Sequence, residues 1–204
     1  SGRALVLVCA DTVTAAEAEA IRGYVRQSGA AILVKPPGEL VDGFGLPVEE
    51  RPGSTYAAAP PGYLQFVDHP WVSHHAETCV QCHAPTALWR IGGARPLARV
   101  AIQREAASSY PAIIETECGD GRIAIFWFDL GAALVLTRQG DPRLASTGQC
   151  PDADADGMHK PAGLFYRHLD FDLRRIPQAD ILADVLGGVI RGLTDHRLPI
   201  PRLW

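Results

Sequence analysis

No stretch of this chain comes near the roughly 18 consecutive apolar residues that a membrane-spanning helix needs, so no membrane partner is expected. An excess of basic charge is missing too. Lys and Arg number 19 against 23 Asp and Glu, the net charge is −4, and no Lys/Arg cluster offsets it, which argues against nucleic acid. The opening SGRALVLVCADT has no basic region leading to a cleavage site, so no secretory signal is read there. Five cysteines cannot all pair, and a chain of this size needs no disulfide framework, which leaves the compartment open. Internal repeats are absent. What remains is ordinary: 47% hydrophobic and 21% charged residues over 204 positions, enough for one sizeable core.

The chain is organised around GDGRIAIFWFDLGAALVLTRQGDP, Gly119 to Pro142. Its near-continuous apolar run predicts a buried strand from Arg122 to Phe128. A turn at Asp129-Leu130-Gly131 then leads into a helix from Ala132 to Arg138. Asp129 arrives at the carboxyl end of that strand, where an open α/β sheet presents its chemistry. It is also placed to cap the helix, and the cap is the preferred reading.

Ahead of this stretch, Ala4 to Cys9 reads as an apolar strand. Thr14 and Glu17 then form a T-x-x-E capping box for a helix from Ala15 to about Gln27, with Gly29 as its C-cap residue. Ala30 to Val34 is the next strand, and strand, helix, strand over some 30 residues is a βαβ unit with parallel strands. Residues 53 to 77 read as loop. Strands are expected at 78–83, 86–91, 97–103 and 111–117, adding antiparallel hairpins to the sheet. A last helix opens at Pro177, with Ile181, Leu182, Val185, Leu186, Val189 and Ile190 on a broad apolar stripe. Gly187-Gly188 inside it suggests close packing by another backbone. The Pro-rich tail that follows reads as the start of a linker.

LVLVCADTVTAAEAEAIRGYVRQSGAAILV resembles the strand, loop, helix and Gly-led strand of class I glutamine-amidotransferase-like domains. The likeness is greatest to non-catalytic versions such as the β-galactosidase trimerisation domain and domains preceding polysaccharide-deacetylase-like domains. ELVDGFGLPVEE and GDGRIAIFWFDLG resemble further segments of that family. The resemblance implies an α/β, flavodoxin-like fold with a mostly parallel sheet and additional antiparallel strands. The family's two leading βα units are not seen before Ala4, so the sheet is expected to be truncated there or completed by other residues or another chain. It divides the chain into a domain at 1–176 and a C-terminal helix and linker at 177–204 packing on it. Two departures bear on activity. Where the family has a cysteine nucleophile on a sharp turn, this chain reads Lys35-Pro36-Pro37-Gly38. Where it has His-Pro-Glu, this chain reads Phe128-Asp129-Leu130. Nucleophilic catalysis needs a nucleophile, a base and an orienting group, and both positions lack them.

Three other constellations could carry chemistry. Cys79-Val80-Gln81-Cys82-His83 matches the C-x-x-C-H attachment motif of c-type haem, with Met158 or another histidine as sixth ligand. The segment reads as a strand, however, so plain buried cysteines are preferred to haem, or to zinc held with His74 or His75. Asp152, Asp154 and Asp156 before Gly157 match the first half of a calcium loop, and Asp170 or Asp172 could add a carboxylate. The twelfth position is Gly163 rather than Glu, so a solvated acidic loop is preferred. Cys9 ends a strand but lacks the flanking glycines of a nucleophile elbow.

The expected function is therefore a catalytically inactive amidotransferase-like structural or interaction domain of a larger carbohydrate-processing protein. Its partner would be another domain of that protein or a second copy. The first alternative is a cysteine-dependent hydrolase or amidotransferase using Cys9 with His69 or His83, and the second is a haem electron-transfer domain. Calorimetry should find only weak calcium binding, and a submicromolar affinity would contradict the incomplete ligand set at Asp152, Asp154 and Asp156.

Overall fold

The computed structural model describes residues 5–9, 12–50, 55–56, 62–84, 86–103, 106–139 and 177–195. In chain order the elements begin with β1 (Leu5–Val8), α1 (Ala15–Arg26), β2 (Ala30–Val34), α2 (Gly38–Gly43), β3 (Val48–Glu50) and β4 (Thr55–Tyr56). There follow β5 (Gly62–Phe66), a 3-10 turn at Ser73–His75, β6 (Cys79–Cys82), β7 (Thr86–Ala87), β8 (Arg90–Ile91), β9 (Arg95–Gln103), β10 (Ala106–Cys118) and β11 (Gly121–Phe126). Helices α3 (Leu130–Gln139) and α4 (Pro177–Leu193) complete the described set.

The βαβ unit forms as the sequence dictates. Thr14 Oγ1 accepts from the Glu17 N–H at 3.3 Å while Glu17 Oε2 accepts from the Thr14 N–H at 2.8 Å, closing the capping box. Its far end differs from expectation. Ser28, not Gly29, takes the left-handed conformation (φ 74°). Gly29 serves instead as a point of close approach, since a Cβ there would lie 2.5 Å from the Tyr24 carbonyl oxygen.

The main sheet has seven strands in the order β1-β2-β11-β10-β9-β5-β6. Only β1–β2 and β2–β11 pair in parallel, and the remaining four pairings are antiparallel. A mostly parallel sheet is therefore corrected to a mixed one, and the fold is α/β in that coarser sense. Strand β5 lies inside the segment read as loop. Its five residues alternate too briefly to stand out after Pro60-Pro61, yet Leu64 and Phe66 are fully buried. Strand β10 continues past the last β11 partner at Ile113, and Pro111 pairs only with Arg99 of β9. Proline is tolerated there because no β11 ladder bond needs its missing N–H.

Two cores lie on the two faces of this sheet. On one, Ala18 and Val25 of α1 and Leu40, Val41 and Phe44 beyond it pack on Ala31, Leu33, Ile123, Ile125 and Trp127. On the other, Leu130 and Ala133 of α3 and Leu182, Val185, Val189 and Leu193 of α4 cover Ile32, Ile113, Phe126 and Phe128. Each such aliphatic side chain, fully buried, contributes about 1.5–3 kcal/mol before entropy is set against it. The stripe of α4 is thus occupied within the chain, and the large exposed hydrophobics among the described residues are Leu7 and Val135.

The two adjacent glycines in α4 have different roles. A Cβ on Gly188 would meet the Trp71 carbonyl oxygen at 2.1 Å, so the anticipated backbone contact is real, whereas one on Gly187 would meet only the tip of Arg191 at 3.4 Å. Gly188→Ala should therefore destabilise by more than about 2 kcal/mol, despite the helix propensity of alanine. Gly187→Ala should stabilise by roughly 0.5–1 kcal/mol. Urea unfolding of the two variants reads both, and equal effects would contradict the packing.

Candidate functional site

The parallel strands bring their carboxyl ends together at Cys9, Lys35 and Trp127-Phe128-Asp129, the edge where such a sheet would present catalytic groups. Lys35 and Asp129 have structural work. The Lys35 N–H donates to the Phe126 carbonyl at 2.8 Å, turning the chain with φ 47°. Asp129 Oδ1 accepts from the Ala132 N–H at 2.8 Å and so caps α3, a contact worth about 1 kcal/mol. Cys9 is exposed, and partial burial followed by the Asp129 charge pushes its thiol above the ordinary range. An activated nucleophile needs the opposite shift.

The C-x-x-C-H segment is strand β6, as its apolar alternation implies. Val80 and Cys82 face the α3/α4 core, which turns Cys79 and Gln81 to the other side of the sheet. Burial raises the Cys82 thiol to about 11. Burial also lowers His83 below its ordinary 6.5. Met158, the calcium-loop residues Asp152, Asp154 and Asp156, and Asp170 and Asp172 all lie outside the described residues.

The loop at 67–78 gathers several of the chain's histidines. His69 is buried; its Nδ1 accepts from the Trp71 N–H at 3.3 Å, and its Nε2 lies 3.6 Å from Glu115 Oε1. The same oxygen forms an ion pair with Arg95, while Glu115 Oε2 is buried without a hydrogen-bond partner among the described residues. Glu115 escaped sequence reading, although an acid inside the apolar run AIIETE was a visible irregularity. His74, His75 and Asp184 also gather here, with the His74 and His75 ring centroids 4.0 Å apart. Burial and His74 push His75 below its ordinary value, against a smaller upward effect of Asp184.

A shallow cleft of about 230 Å³ between β8, β9 and β10 is lined by Arg90, Arg99 and Ser109 among others. Arg90 donates to Ser109 Oγ at 2.8 Å and Arg99 to the Ser109 carbonyl at 3.1 Å. Its volume falls below the roughly 300–1,000 Å³ of small-molecule sites.

No protein-family model and no curated protein matches the sequence at a significant level. Among solved structures, a β-galactosidase from Bacillus circulans sp. alkalophilus overlaps 61% of this chain and 19% of its own, at 14% identity and a TM-score of 0.42. An exo-β-1,4-mannosidase from Opitutaceae bacterium strain TAV5 overlaps 64% of this chain and 21% of its own, at 12% identity and a TM-score of 0.44. A cytoplasmic protein from Salmonella typhimurium overlaps 59% and 52%, at 17% identity and a TM-score of 0.38. The chain thus spans about a fifth of the length of the two glycosidases. Overlaps this loose assign neither a fold family nor an activity.

The lowered His83 has a consequence for stability. An unfolded chain takes up the proton near 6.5 while the folded chain takes it up only at lower pH, so acid favours unfolding between the two values. Stability from His83 should be fully present above pH 6.5 and lost as pH falls through it toward the folded value. In urea unfolding at stepped pH, His83→Gln should flatten this part of the profile, and an unchanged slope would contradict it.

Proposed function

We propose that this chain is a catalytically silent, amidotransferase-like α/β module with a structural or interaction role in a larger carbohydrate-processing protein. One observation carries the reading: the strand ends where chemistry would sit are engaged in holding the fold. Lys35 turns the chain at the nucleophile position, Asp129 caps α3, and the Cys9 thiol is pushed above its ordinary range by partial burial and by Asp129. The carbohydrate setting rests on the resemblance of the βαβ segment and of GDGRIAIFWFDLG to non-catalytic domains of carbohydrate enzymes.

The partner is another domain of the parent protein or a second copy of this chain. Strand β1 stands at the sheet edge with Leu7 58% exposed, and an open edge with apolar side chains favours association.

Purified chain should release no ammonia from glutamine, and Cys9→Ser should leave the melting temperature unchanged. Turnover that disappears in Cys9→Ser, at an unchanged melting temperature, would overturn silence. Sedimentation should report a dimer or larger species. A monomer over a wide concentration range, binding no hydrophobic dye, would remove the interaction role.

A further inference from the structure

The loop at 67–78 is fastened at its base and, at Trp71 and Val72, to the rest of the molecule. The Phe66 N–H donates to Thr78 O at 3.0 Å and the Glu77 N–H to Phe66 O at 3.0 Å, closing its base. Within it, the Val72 N–H donates to His69 O at 2.9 Å and the His75 N–H to Val72 O at 2.8 Å. Val72 is fully buried, and the Trp71 carbonyl rests against Gly188 of α4. One helical turn before Gly188 stands Asp184, and four residues after Trp71 in the loop stands His75. The glycine contact therefore sets these two side chains next to each other.

His75 Nε2 lies 3.9 Å from Asp184 Oδ2, too far for a hydrogen bond. That nitrogen is buried and has no hydrogen-bond partner among the described residues. His74 supplies a third donor, and the three donor atoms lie within 4.8 Å of one another. A buried, unsatisfied imidazole nitrogen facing a carboxylate and a second imidazole is an arrangement that a cation would complete.

We propose that His74, His75 and Asp184 form a binding site for a first-row divalent cation of the Zn²⁺ type. Two imidazole nitrogens with one carboxylate oxygen suit Zn²⁺, whereas Ca²⁺ and Mg²⁺ require oxygen sets. Donors around a tetrahedral ion with bonds of about 2.0–2.1 Å stand roughly 3.3 Å apart. Closing the present set takes shifts on the order of an ångström, and the two exposed side chains, His74 and Asp184, are free to make them. The half-buried His75 ring stays on Phe66, at 6.0 Å between centroids. Three protein ligands leave a fourth position for water or another donor. The ion would tie the histidine loop to α4 and stabilise the fold by mass action. The ligands are separate from the strand-end positions, so the site stands whether or not those positions are catalytically silent.

The test is calorimetric and melting titration of tag-free, metal-stripped full chain with Zn²⁺, beside His74→Gln and Asp184→Asn, both at exposed positions. One ion per chain and a raised melting temperature are expected, with no response to Ca²⁺ or Mg²⁺. Each variant should weaken binding by at least the roughly 10- to 100-fold that loss of a supporting partner costs a metal site. Co²⁺ should give the visible bands of a tetrahedral nitrogen/oxygen site in the parent chain and lose them in both variants. Absent binding, binding unchanged in the variants, or a thiolate-to-Co²⁺ band placing the ion on cysteine would each overturn the assignment.

Discussion

The Trp71 carbonyl approaches α4 so closely that a single methyl on Gly188 would stand 2.1 Å from it, and the indole lies over Gly192 one turn later. Much of the molecule depends on that approach. It seats α4 over the sheet, where Leu182, Val185, Val189 and Leu193 close one core. It also buries Val72 and brings His69 to Glu115 and His75 to Asp184. Arg122 on β11 extends the contact, lying over the Trp71 ring at 5.8 Å and pairing with Asp195 at 2.6 Å. A helix with two adjacent glycines gives up roughly 1 kcal/mol per glycine in propensity, and here one of the two is required by a neighbour.

At the other side of the fold, the parallel strands end at Cys9, at Lys35, whose backbone N–H turns the chain, and at Asp129, whose carboxylate caps α3. The Asp129 carboxylate accepts the Ala132 N–H in the first turn of α3, and the same charge adds to burial in opposing ionisation of Cys9. One carboxylate thus stabilises the helix and, as the smaller cause beside burial, disfavours the Cys9 thiolate.

The βαβ unit was legible because its determinants are local: the Thr14–Glu17 box, an apolar run on either side, and a helix of ordinary length. The start of α4 at Pro177 and the packing reason for its glycines were legible on the same grounds. Strand direction was not. An apolar run reads alike whether its neighbour is parallel or antiparallel, so antiparallel strands were expected beyond Thr78 but not that their pairings would outnumber the parallel ones. Strand β5 was hidden because its two buried residues, Leu64 and Phe66, lie in a short segment between turn-forming residues. The polar clusters were hidden for another reason. His69 meets Glu115, and His75 meets Asp184, through tertiary packing that no sequence spacing encodes. Cys79 and Cys82, a pair that sequence spacing did single out, are turned to opposite faces of β6.

The central claim, that the strand ends hold structure rather than perform chemistry, is tested most directly at Cys9. Incubation with an electrophilic glutamine analogue, followed by mass spectrometry, reads whether this thiol behaves as a nucleophile in its own setting. The account predicts that Cys9 is modified no faster than a small-molecule thiol at the same pH, and that glutamine gives no protection. Rapid stoichiometric labelling of Cys9 that glutamine blocks would contradict it.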